Sequence, residues 1–266
     1  MLKVIFISIL AFVSAEAFDF GGLVDSAVKE ISDDKGKDSK STLSTLSDST
    51  VEAGLRSALK IGVEYGVKEL SKPEGYLKNS DVKIELPKNL QTAESVVRKF
   101  GGDKIADDLI NSMNAAATEA APKTAVIFVK SVDNMGMKDV KEILAGDDTA
   151  ATAYFEKNTT KDLQKTIKPI IEKAMADNNV ASYYKTFSEY YDEYAKEYVQ
   201  SSSVMNMAKG FGADEYIPKD SNTTLEDHVV DKAISGLFHM IGSKESAIRN
   251  DTASQTTSLL KKVFGN

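Results

Sequence analysis

Asp103-Lys104-Ile105-Ala106-Asp107-Asp108-Leu109-Ile110-Asn111-Ser112-Met113-Asn114-Ala115-Ala116-Ala117-Thr118-Glu119-Ala120 decides the fold class. Leu109, Ile110, Met113, Ala116, Ala117 and Ala120 recur three and four residues apart, which places them on one face of an α-helix. The pattern runs over residues 103–133, and Pro122, which has no N–H to donate and clashes with the preceding turn, is expected to kink or break it. Working outward, helical spacing returns at 89–100, 137–145, 148–157, 160–177, 181–200, 224–242 and 252–263. In 160–177 the residues Leu163, Ile167, Ile170, Ile171, Ala174 and Met175 make a core face. Another helix, capped by Asp48 or Ser49, runs to about Leu70 and stops at Lys72-Pro73-Glu74-Gly75.

Val82, Ile84 and Leu86 alternate with charged residues before Pro87 and form the one strand-like stretch. Residues 201–222, with Gly210, Gly212 and Pro218, read as a loop. Since no set of strands can build a sheet, the core must come from helices packed on helices. The expected fold is all-α: a single multi-helix domain over 43–266 with at most one short strand-like segment.

The N-terminus has the order of a secretory signal. Lys3 supplies positive charge, residues 4–13 are apolar, and Ala15-Glu16-Ala17 fits a small-x-small cleavage site. Ten apolar residues fall short of the roughly 20 needed to span a bilayer. A signal peptide over 1–17, cleaved after Ala17, is therefore expected, with no transmembrane segment in the mature chain. Residues 18–42 read as a short amphipathic helix through Phe20, Val24, Ala27 and Ile31, followed by a charged linker around 33–40. The sequence has no Cys, which removes the lipid anchor of a lipoprotein, a thiol nucleophile and a Cys-ligated metal. The expected location is periplasmic. A net charge of −7 argues against nucleic acid as a partner, since phosphate contacts need clustered Lys and Arg.

No phosphate-binding loop, dinucleotide fingerprint, nucleophile elbow or HExxH pair occurs, and no cofactor or metal is expected. The two histidines, His228 and His239, are eleven residues apart on one expected helix and share a face, but lie roughly 16 Å apart, too far to ligate one ion. Glu119 sits among Ala115, Ala116, Ala117, Ala120 and Ala121, where close helix approach can bury a carboxylate. The 181–200 segment carries seven aromatics. Tyr183, Phe187, Tyr190, Tyr194 and Tyr198 fall on one stripe, expected to face the core; Tyr184 and Tyr191, if exposed, mark a ligand or partner surface. Glu245 and Arg249, at i and i+4, read as a structural pair. Asn-x-Thr sequons stand at Asn158, Asn222 and Asn250; the first two also carry an acidic residue two positions earlier, making Asn158 and Asn222 the glycosylation candidates.

Four ordered stretches carry a resemblance. They are Met113-Asn114-Ala115-Ala116 through Glu119 to Pro122; Ile143-Leu144-Ala145-Gly146 through Ala151-Thr152 to Tyr154-Phe155; Asp231-Lys232-Ala233 to Gly236-Leu237-Phe238; and Glu245-Ser246-Ala247-Ile248-Arg249 leading to Leu260-Lys261-Lys262-Val263-Phe264-Gly265. Ala53-Gly54-Leu55, Gly75-Tyr76-Leu77 and Ile84-Glu85-Leu86-Pro87 add to it. In this order the chain resembles, over about 43–265, the bacterial family called domain of unknown function 4197. The resemblance implies an exported helical protein of a Gram-negative cell envelope and supplies no activity, cofactor or catalytic residue. Two functions follow as expectations. The favoured one is a non-catalytic binding protein that holds an apolar ligand between helices or docks an envelope protein through its aromatic face. The alternative is a carboxylate-dependent hydrolase of envelope material, drawing on Asn114, Glu119, Tyr154, Asp231 and Arg249, which must then converge in one cleft.

Overall fold

The computed structural model describes residues 46–136, 138, 140–195 and 221–265. The expected signal peptide, the segment 18–42 and residues 201–220 lie outside the described residues. Among those described there are eight α-helices and no strand: α1 (Asp48–Leu70), α2 (Lys88–Lys99), α3 (Asp103–Asn134), α4 (Val140–Ala145), α5 (Ala150–Asp177), α6 (Val180–Tyr190), α7 (Ser221–Asn250) and α8 (Ser258–Phe264). A π-helical turn, Tyr191–Ala195, extends α6, and a 3-10 turn, Thr252–Ser254, precedes α8. The all-α reading holds.

Helices α3, α5 and α7 meet through Phe128, Phe155 and Phe238, whose rings pack edge to face with centroids 6.2, 5.4 and 5.3 Å apart. Helix α1 lies along α7, and small residues set how close they come. A Cβ added at Gly62 would stand 2.9 Å from Ile241 Cγ2 and 3.2 Å from the Ile241 carbonyl oxygen, so only glycine fits. Gly66 meets Leu237 and Met240 in the same way.

Several expected boundaries change, for local reasons. Pro122 does not break α3, and Pro169 does not break α5. The burial of Ala120, Ala121, Thr124 and Ala125 around Pro122 holds the helix against its neighbours and outweighs one lost backbone bond. The two helices read at 148–157 and 160–177 are one, α5. Nothing between them stops a helix: Thr159 and Thr160 donate their hydroxyls back to the carbonyls of Phe155 and Glu156, and Phe155, Thr159 and Leu163 keep a single buried stripe. Ser47, one residue before the expected cap, accepts from the Thr50 N–H. Helix α7 starts at Ser221 and runs past Gly242 to Asn250, longer at both ends than its periodicity shows.

The 82–86 stretch alternates as read: Val82, Ile84 and Leu86 are buried while Glu85 is exposed. Among the described residues no strand pairs with it. Its central backbone is instead satisfied by a side chain of α3, Asn114.

Candidate functional site

None of the five residues proposed for a catalytic cleft is hydrogen-bonded or ion-paired to another, and each has its own local task. Buried Asn114 accepts from the Ile84 N–H at 2.9 Å and donates to the Ile84 carbonyl at 2.8 Å, imitating the edge of a neighbouring strand. Glu119 is not buried by its alanines: Ala116, Ala117, Ala120 and Ala121 face the core while Ala115 is exposed, and the Glu119 side chain is 38% exposed, pairs with Lys123 at 2.6 Å and accepts from Asn178 at 2.9 Å. The Tyr154 hydroxyl donates to the Gly136 carbonyl at 2.9 Å and accepts from the Lys138 N–H, fastening the α3–α4 connection to α5. Asp231, exposed on α7, accepts from Gln164 at 2.7 Å.

Arg249 and Glu245 form the most deeply placed charged group among the described residues. Glu245 is fully buried and accepts from the Ala151 N–H at 3.0 Å, the Thr152 N–H at 2.7 Å and the Thr152 hydroxyl at 2.6 Å. These are the free amides at the start of α5, where a carboxylate is favoured. Arg249 pairs with Glu245 at 2.8 Å and donates to the Leu144 and Ile143 carbonyls, which are left over at the end of α4. Its guanidinium also lies 5.5 Å from the Phe264 ring of α8. The structural reading of the pair is met, at the ends of α4 and α5. A second pair of the same spacing, Glu52 and Arg56, was missed by sequence reading; Arg56 donates to the Val132, Asp133 and Met135 carbonyls at the end of α3. The i, i+4 spacing of Glu and Arg is the signal that would have found it.

Of the aromatic stripe expected to face the core, Phe187 does so, but Tyr183 and Tyr194 turn outward and Tyr184 and Tyr191 turn inward. Val180, Tyr184, Phe187 and Tyr191 are buried, while Tyr183 and Tyr194 are 39% and 49% exposed. Both stripes carry tyrosine, so ring positions alone cannot choose between them; Val180, in register with Tyr184 and Phe187, does. Tyr198 lies outside the described residues. The Tyr184 and Ser188 hydroxyls are buried with no hydrogen-bond partner among the described residues. On the outer face, the Tyr190 and Tyr194 rings lie 4.7 Å apart and the Tyr190 hydroxyl donates to the Phe100 carbonyl at 2.7 Å. Phe100, Tyr183 and Tyr194 are three of the four large hydrophobic residues exposed among those described, and the π-turn falls in the same place.

The enclosed apolar space between α3, α5 and α7, lined by Tyr76, Ala117, Ala120 and Ile167 among others, amounts to about 10 Å³, room for roughly one water. A larger open groove of about 630 Å³ lies between the first turns of α5 and the middle of α7. Thr149, Ala153 and Glu156 line one wall, and Ser235, His239, Ser243 and Ser246 the other. Gly242, Thr152 and Phe238 form its floor.

The profile of a family described as protein of unknown function, DUF4197, matches residues 45–265. The chain belongs to that family. No curated protein and no solved structure matches it. The stretches that carry the likeness to DUF4197 now have physical roles. Asn114 closes the 82–87 segment, and Gly75 sits against the Leu70 carbonyl where no side chain fits. The Tyr76 hydroxyl, pushed well above its ordinary pKa by burial, donates to the Ala233 carbonyl at 2.8 Å. Glu245 and Arg249 join α4, α5 and α7.

Both histidines face the 81–87 segment, as their shared face implied: His228 Nε2 lies 2.8 Å from the Glu85 carbonyl oxygen and His239 Nε2 lies 3.9 Å from Asp81. Burial lowers the His228 pKa from 6.5, with Lys232 adding to this; the Glu85 carbonyl and Asp231 oppose it. Among the described residues no group of His, Asp and Glu is placed to hold a metal ion, and no helix is long and apolar enough to cross a membrane. Asn158 is exposed in the middle of α5 and donates to the Tyr154 carbonyl, while the next residue, Thr159, is buried. Asn222 belongs to the first turn of α7.

Proposed function

We propose that the protein is exported through its N-terminal signal and acts in the periplasm as a non-catalytic binding protein, docking an envelope protein at the corner made by Phe100, Tyr183, Tyr190 and Tyr194. The observation that carries this is the gathering of exposed aromatic rings at one corner of a domain whose other large apolar residues are mostly buried. Tyrosine and phenylalanine bring large contact area at small entropic cost and are enriched where proteins meet. The engagement of each of the five hydrolase candidates with its own helix end, loop or neighbouring helix supports binding over catalysis. The order of Lys3, the apolar run and Ala15-Glu16-Ala17 supports export.

Two measurements test the two halves of the proposal. The intact mass of the protein from the periplasmic fraction of its own cells is expected to match a chain beginning at Phe18. A full-length chain confined to the cytoplasm would end the export reading. A photo-crosslinking amino acid in place of Tyr194 is expected to capture a discrete envelope protein in living cells, and the same group at exposed Lys161 is expected to capture none. Equal capture from both positions, or none from either, would reject the docking surface.

A further inference from the structure

We infer that the groove between α5 and α7 binds a short uncharged saccharide. The groove is distinct from the aromatic corner, and its test is independent of the docking proposal. Its volume, about 630 Å³, is in the range of small-ligand sites, though it lies open on one side.

The lining chooses the chemistry. Ser235, His239, Ser243 and Ser246 recur on one face of α7, opposite Thr149 and Glu156 on α5. Hydroxyl groups donate and accept, as do the hydroxyls of a sugar, so each can adapt to its counterpart. Among the described residues no Lys or Arg lines the groove. Glu156 lies inside it, Asp148 is 3.5 Å from the Ser246 hydroxyl, and Asp81 flanks His239. A phosphate or carboxylate entering there would meet carboxylates, with His239 already beside Asp81 and no Lys or Arg, so an anion is disfavoured and a neutral polyol is not.

Gly242 gives a second, separate observation. Glycine inside a helix costs about 0.5–1 kcal/mol relative to alanine. At Gly62 and Gly66 close packing explains it, because an added Cβ would collide with α7. At Gly242 an added Cβ would lie 3.4 Å from Thr149 Cγ2 and 3.7 Å from Thr152 Cγ2, in ordinary contact. Packing does not require a glycine at this position. What it does is keep the groove floor low between Ser243 and His239. The floor is also held rigid, since Thr152 is bonded through its N–H and hydroxyl to buried Glu245. A wall fixed before binding avoids the cost of ordering it.

The test is an amide-resolved NMR titration of the whole mature chain with chitotriose and with maltotriose, and with inorganic phosphate for comparison. At least one trisaccharide is expected to shift amides in 149–156 and 235–246 saturably. Ser243→Tyr, which fills the groove from an exposed position, is expected to weaken this at least tenfold, and Ser235→Tyr serves if that variant does not fold. Phosphate is expected to leave the same amides unmoved. The inference is overturned if neither sugar shifts those segments up to about ten millimolar, if the groove-filling variants bind as well as the parent, or if phosphate produces the same shifts.

Discussion

The side-chain amide of Asn114 closes two hydrogen bonds on one residue, Ile84, accepting from its N–H and donating to its carbonyl. One side chain on α3 thereby does the work of a missing strand, and also donates to the Ile110 carbonyl of its own helix. Asn114→Leu is nearly the same size but leaves both Ile84 groups buried and unpaired, at roughly 1–3 kcal/mol each. We expect its urea midpoint to fall accordingly. Asn114→Asp restores only the acceptor and is expected to be destabilised as well. A wild-type midpoint for Asn114→Leu would show that water replaces the amide and that the contact is not needed.

Removing one partner of the buried Glu245–Arg249 pair leaves an uncompensated charge and opens the ends of two helices. Glu245→Ala is expected to cost about 3–5 kcal/mol. Because Arg249→Met removes the charge that Glu245→Ala strands, the double variant is expected to be destabilised by less than the two single losses together. Strict additivity in chemical denaturation would contradict a coupled pair.

Acid is expected to loosen the fold through His228. Its folded pKa is depressed below 6.5, so the unfolded chain takes up the proton more readily. The contribution of the neutral imidazole is complete above the unfolded value and is lost as pH falls through it. The urea midpoint should decline as pH falls below about 6.5, and His228→Gln should flatten that decline. An unchanged slope in His228→Gln would place the acid sensitivity elsewhere.

Two glycines of the α1–α7 region are expected to respond to alanine with opposite signs. Gly62→Ala forces a methyl into the Ile241 backbone and should lower the melting temperature. Gly242→Ala has room and should raise stability by about 0.5–1 kcal/mol. Equal behaviour of the two variants would undo the distinction drawn between packing and groove.

Much of this was legible in the sequence, because helical periodicity is a local signal. The stripe from Leu109 to Ala120, the core face from Leu163 to Met175 except for half-exposed Ile170, and the alternation at Val82, Ile84 and Leu86 are found as read. What failed depended on partners distant in the chain. Nothing near Glu119 says that it stays half-exposed while Ala116, Ala117, Ala120 and Ala121 face the core. The tyrosines of α6 offer two aromatic stripes, and only the register with Val180 selects Tyr184 and Tyr191 for the core. Asn114 was singled out by its family-like surroundings, but its bond to Ile84, thirty residues back, has no local trace. The groove was not anticipated, since its serines, spread over α7, become a site only when the start of α5 lies opposite.

The buried clamp at Arg249 also governs the order in which the molecule can be completed. Carbonyls at 143 and 144 wait on Arg249 and the amides at 151 and 152 on Glu245, both near the C-terminus. While the ribosome is still making α7, the ends of α4 and α5 have no counter-charge and Phe128 and Phe155 have no third ring. The contacts that close the core around α4 and α5 can therefore form only once synthesis is almost finished.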